Sequence, residues 1–102
     1  MRETLESYGA TVLEAEDGKQ ALAIISQKWS NLGLIISDLQ MPNMNGKELL
    51  EELIKRGIKI PFAFASGRHE ERVELIRKGA FSFLTKPLSN DDLKRLMEKI
   101  WP

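Results

Sequence analysis

The sequence predicts an α/β fold, a mostly parallel sheet with helices on both sides. Three observations carry that expectation. Gly9, Gly33, Gly57 and Gly79 recur at spacings of 24, 24 and 22 residues, about the length of one strand plus one helix. Helix-like and strand-like stretches alternate from end to end, the pattern of a sheet built through helical crossovers. The runs Leu34-Ile35-Ile36 and Phe62-Ala63-Phe64-Ala65 show little polar alternation, as expected of strands covered on both faces. A length of 102 residues suits one small domain, and residues 1–102 are read as one.

Taken in order, Met1 to Tyr8 reads as the end of a helix, with Leu5 and Tyr8 on one face. Thr11 to Ala15 is predicted to be a strand. Asp17 then opens a helix, with Gln20 placed to complete a capping box and Leu22, Ile25 and Trp29 as the buried stripe. Leu34 to Ser37 is a strand, and Asp38 to Gly46 a loop rich in Pro42, Asn43 and Asn45, in which Gly46 reads as a turn residue. Asn45 and Glu48 cap the next helix, lined by Leu49, Leu50, Leu53 and Ile54. A strand lies within Ile58 to Ala65, and a weaker helix from Glu70 to Lys78 is anchored by Val73 and Ile76. Phe81 to Leu84 is the last strand, with Phe81 and Phe83 on one face. Ser89 and Asp92 cap a final helix whose stripe is Leu93, Leu96, Met97, Ile100 and Trp101. Met97 and Trp101 read as core or core edge, and His69, beside Glu70 and Glu71, as a solvated side chain. Gly9, Gly57 and Gly79 follow helix-like stretches where a helix stop is expected.

Composition narrows the function. Lys plus Arg and Asp plus Glu number 15 each, so no basic excess points to direct nucleic-acid binding. The absence of cysteine removes disulfides and thiolate metal sites. No apolar stretch is long enough to cross a bilayer and no signal peptide is visible, so no membrane partner and a cytoplasmic location are expected. No glycine-rich fingerprint for dinucleotides or P-loop nucleotides is present.

The informative constellation is Asp38, Ser66 and Lys86, each directly behind a short apolar run or one residue beyond it. In an α/β sheet, side chains at the carboxyl ends of neighbouring strands converge on one crevice. A carboxylate there can attack a phosphoryl group and hold it as an acyl phosphate. An ammonium can offset the phosphoryl charge, and a hydroxyl can donate to one of its oxygens.

The segment Ser37-Asp38-Leu39-Gln40-Met41-Pro42-Asn43-Met44-Asn45-Gly46 resembles the phosphoacceptor segment of bacterial two-component response regulator receiver domains. Pro61-Phe62-Ala63-Phe64-Ala65-Ser66-Gly67 resembles that family's switch-hydroxyl strand. Gly79 through Leu88, with Lys86-Pro87, resembles its Lys-Pro strand end, and Glu14 through Leu22 also has the family's look. The resemblance implies a flavodoxin-like, doubly wound parallel sheet of receiver type, with strand order 2-1-3-4-5. It implies that Asp38 is phosphorylated by a histidine kinase or phosphotransfer protein, within a phosphorelay and without independent enzymatic turnover. Ser66 would be the switch hydroxyl, Lys86 the phosphoryl ion pair and Phe83 the switch aromatic. The backbone carbonyl of Gln40 would join Asp38 in holding Mg²⁺. The Lys86-Pro87 peptide would be cis, and output would pass by protein contact through the fourth helix, last strand and last helix.

The sequence departs from the family at its start. A receiver domain opens with a central strand ending in an acidic pair, and Met1 already falls in the helix after that strand. The expectation is therefore a truncated receiver missing its first, central strand. Asp38 and one carbonyl form a thin ligand set for Mg²⁺, so weak metal binding and impaired phosphotransfer are expected. Unpaired inner strand edges favour association, so a homodimer, intertwined by strand pairing or domain swap, is expected. The alternative function is a phosphorylation-independent dimerisation or interaction module with a receiver-like fold.

Overall fold

The computed structural model describes residues 1–67 and 70–101. Among these residues five helices and three strands follow in order: α1 (Arg2–Ser7), α2 (Gly18–Lys28), a 3₁₀ turn (Trp29–Asn31), β1 (Ile35–Asp38), α3 (Gly46–Lys55), β2 (Phe62–Ser66), α4 (Arg72–Lys78), β3 (Ser82–Thr85) and α5 (Asn90–Ile100). The starts of the longer helices follow from side-chain caps. Asn45 and Ser89 each accept from the third helical backbone N–H, and Glu48 and Asp92 each return the bond to the cap residue. Asp17 caps α2 through the Gln20 N–H, but Gln20 reaches back to the N–H of Glu16 instead of that of Asp17, so the expected box is only half formed. At the helix ends, Gly9, Gly57 and Gly79 take positive φ (90°, 70° and 124°), a conformation costly to side-chain-bearing residues.

The sheet is parallel, in the order β1-β2-β3. Its middle strand, β2, is buried along its whole length. Alternation puts Phe62 and Phe64 on one face, their ring centroids 4.9 Å apart. They join Ile25 of α2, Leu49, Leu50 and Leu53 of α3, Leu75 of α4 and Phe83 of β3 in one core cluster. The small side chains of Ala63 and Ala65 fall to the opposite face. Leu93 and Leu96 of α5 are buried, and α5 packs on α1, where Thr4 Oγ1 donates to Asn90 Oδ1 at 2.6 Å.

Several expectations need correction. Thr11 to Ala15 is not a strand: it has no ladder partner among the described residues, and a strand needs a neighbour for its backbone groups. It lines a cleft of about 690 Å³ together with residues 34–38. The edge of β1 facing that cleft carries no strand among the described residues. Val73 and Ile76 do not anchor α4; they are exposed, and the fully buried Leu75 between them does so. The short helix lies so that only one residue of its central turn reaches the core. Ile54, the penultimate residue of α3, and Trp29, the first residue of the 3₁₀ turn after α2, are exposed. Phe81 precedes β3 and is 44% exposed, whereas Phe83 within it is 7% exposed. Trp101 lies beyond the end of α5 and is half exposed, its ring laid against Gly33. The reading of His69 falls outside the described residues.

Candidate functional site

The parallel register brings the predicted residues to one rim. Asp38 ends β1, Ser66 ends β2, and Lys86 follows the last residue of β3. Asp38 pairs in register with Ala65, and Ser66 with Thr85. The Lys86 N–H donates to the Ser66 carbonyl at 2.9 Å, continuing the ladder one residue past β3. From there Lys86 Nζ reaches across the middle strand and forms an ion pair with Asp38 Oδ1. Both side chains of this pair are about half exposed (48% and 50%), so the carboxylate is open to a reactant from solvent. Ser66, on the strand between them, is buried. The Lys86-Pro87 peptide is cis. Phe83, in register with Phe64, lies inside the core.

The loop after Asp38 is closely held. Leu39 is buried, its carbonyl accepts from the Gly46 N–H at 3.0 Å, and the Met44 N–H donates to Pro42. Asn43 sits at φ 66°. Gly46 proves to be a close-packing residue more than a turn residue. A Cβ there would lie 2.4 Å from the Asp38 carbonyl oxygen, so the start of α3 rests directly on the acceptor strand.

Gln40 is exposed on this loop, two residues beyond Asp38. Its carbonyl and the Asp38 carboxylate are the predicted Mg²⁺ donors. Among the described residues, no group of three or more His, Cys, Asp or Glu side chains could hold a metal ion. The Asp17 carboxylate, which meets the same loop, is engaged in other contacts. One Asp17 oxygen caps α2 and the other accepts from Asn43 Nδ2 at 2.8 Å. The Gln20 N–H first, and Asn43 second, hold the Asp17 carboxyl below its ordinary pKa, because both donate to the charged form. The described residues thus supply only part of the oxygen shell that a hard divalent cation takes.

Sequence reasoning missed a second charged link at this rim. Lys47, in the first turn of α3, pairs with Glu71, the N-cap residue of α4, at 2.7 Å, with both side chains about 30% exposed. The Glu71 hydrogen bond, more than any other neighbour, raises the Lys47 pKa. The two residues are 24 apart in sequence, and no local pattern announces the pair.

Comparison with known proteins agrees with this arrangement. Residues 1–98 match the response regulator receiver domain family. The sensor kinase CckA of Brucella abortus is 39% identical over 101 residues, covering 93% of this chain and 11% of that protein. The transcriptional regulatory protein GlrR of Escherichia coli is 33% identical over 96 residues, covering 92% of this chain and 21% of that protein. The chain therefore spans a small part of these relatives' length. Among solved structures, the receiver domain of a Francisella response regulator superposes with a TM-score of 0.88 at 31% identity, covering 98% of this chain and 83% of that one. The receiver domain of NtrX from Brucella abortus gives 0.84 at 28% identity, covering 97% and 84%.

Proposed function

Because the chain belongs to the response regulator receiver domain family of two-component signal transduction, we propose that Asp38 is its phosphoacceptor. The direct Asp38–Lys86 ion pair at the carboxyl rim of the sheet is the single observation that best supports this reading. The donor is a phosphohistidine on a histidine kinase or a phosphotransfer protein. An Asp38 carboxylate oxygen attacks phosphorus as the bond to the donor nitrogen breaks, and that nitrogen keeps the bonding pair. Lys86 turns from the carboxylate to a phosphoryl oxygen, offsetting charge that develops there. Ser66 donates its hydroxyl hydrogen to a second phosphoryl oxygen. Phe83, on β3 in register with Phe64 of β2, follows the Ser66 movement and alters the surface that a partner protein reads. Residues 1–102 act in this reading as one cytoplasmic signalling domain without turnover of its own. Among the described residues no helix is long and apolar enough to cross a membrane.

Receiver domains normally bind Mg²⁺, and here only Asp38 and the Gln40 carbonyl stand as candidate ligands among the described residues. Metal binding by this chain is therefore weak, and phosphorylation slow. The test is labelling by acetyl phosphate, read by intact mass. The wild-type chain gains one phosphoryl group slowly, and Asp38→Asn gains none; label that persists in the variant overturns the assignment.

Among the described residues, one β1 edge carries no neighbouring strand and the segment 11–15 joins no sheet, which favours a finer reading, a homodimer in which strands of two copies pair across the cleft. Sedimentation showing a monomer at all concentrations would contradict it. If dimers persist in Asp38→Asn and no labelling occurs in the wild type, an interaction module is the better description.

A further inference from the structure

We infer that Asp17, at the start of α2, is a positioning residue that sets the shape of the loop following Asp38. Two independent observations join these distant segments. Asn43 Nδ2 donates to Asp17 Oδ2 at 2.8 Å, across 26 residues of sequence. Beside it, a Cβ on Gly18 would lie 2.1 Å from the Met44 carbonyl oxygen and 2.7 Å from the Met44 Cβ, so α2 begins in direct contact with the loop. The loop needs an external hold at this point. Asn43 has a left-handed backbone (φ 66°), a conformation that Asn tolerates but does not require. The Met44 N–H donates to the Pro42 carbonyl around it at 2.7 Å, which tightens the turn. Asp17 is itself fixed, since its other oxygen accepts from the Gln20 N–H at 2.8 Å. A carboxylate is the side chain suited to both tasks, because it accepts at two oxygens and donates at neither. The chain of contact runs from the α2 cap through Asn43 to the turn, and from the turn back to Gln40 and Asp38. Asp17 therefore acts on the acceptor through the loop, without touching it.

The test exchanges donor and acceptor. Asn43→Asp keeps a residue tolerant of positive φ and leaves the α2 cap intact, but sets two carboxylates face to face. Asp17→Asn combined with Asn43→Asp restores one donor and one acceptor, while the amide oxygen introduced at position 17 still accepts from the Gln20 N–H. Backbone amide shifts of Leu39, Gln40 and Met41 are the first readout. They move in Asn43→Asp and return towards wild type in the exchange variant. The second readout is the acetyl phosphate labelling rate, which falls about three- to tenfold in Asn43→Asp, as for loss of one hydrogen bond, and recovers to within about twofold in the exchange. Unmoved shifts in Asn43→Asp, or an exchange variant no closer to wild type, would overturn the positioning role. The rate readout rests on Asp38 being the phosphoacceptor, whereas the amide shifts do not. A wild type that takes no label thus refutes that assignment and leaves this one to be judged by the shifts.

Discussion

Gly46→Ala probes the contact on which the site is built. Gly46 opens α3 with a helical backbone, so conformation alone favours alanine by about 0.5–1 kcal/mol. Packing acts in the opposite direction. The new Cβ would lie 2.4 Å from the Asp38 carbonyl oxygen, 2.9 Å from Phe64 Cε1 and 3.0 Å from Ser37 Oγ. An ordinary carbon–oxygen contact is about 3.3 Å, so helix and strand must part by about 1 Å. None of the three neighbours yields easily. The carbonyl belongs to the last residue of a paired strand, Phe64 is fully buried, and Ser37 is buried with its hydroxyl bonded to the Asp38 carbonyl. Overpacking of this kind costs about 1–3 kcal/mol, and backbone opposition places this case at the upper end. The net loss is then about 2 kcal/mol, which for a domain of this size lowers Tm by about 8–16 °C. Gly67→Ala is the control: a Cβ there meets nothing within 4 Å, so its stability stays within about 0.5 kcal/mol of wild type. Urea and thermal unfolding of the three proteins measure the differences. A Gly46→Ala variant that melts with the wild type would refute the claim that α3 rests on the acceptor strand.

Lys86→Met separates chemistry from stability. The Asp38–Lys86 pair is half exposed, so its loss changes unfolding free energy by less than about 1 kcal/mol. Loss of a charge-assisted contact to the phosphoryl group slows acetyl phosphate labelling about tenfold or more. A large loss of stability with an unchanged labelling rate would reverse that assignment. Acid sensitivity follows from the helix caps. The Gln20 N–H, then Asn43, lower the Asp17 pKa, and the Ser89 N–H, then the Ser89 side chain, lower that of Asp92. A carboxyl depressed in the folded state contributes stability that is complete above its unfolded pKa and is lost as pH falls through the folded value. Urea midpoints should therefore be insensitive to these groups above about pH 5 and decline below about pH 4. Asp92→Asn should make that decline shallower, and an unchanged slope would remove Asp92 from it.

Local pattern was enough to set the α/β alternation, the caps at Asn45 and Ser89, the glycine helix stops and the meeting of Asp38, Ser66 and Lys86. These features are legible because periodicity, capping and strand ends are local, and a parallel sheet collects its strand ends at one rim whatever else the chain does. Which apolar side chains are buried was left to the packing of the whole chain. Leu75 is taken and Val73 and Ile76 are left out, because a seven-residue helix presents few positions to the sheet. Thr11 to Ala15 has the composition of a strand but becomes one only with a neighbour to bond, and that neighbour is a property of the whole sheet. The links Asp17–Asn43 and Lys47–Glu71 were equally invisible. Their partners stand 26 and 24 residues apart, and only the packing of helices against loops puts a donor within 3 Å of an acceptor.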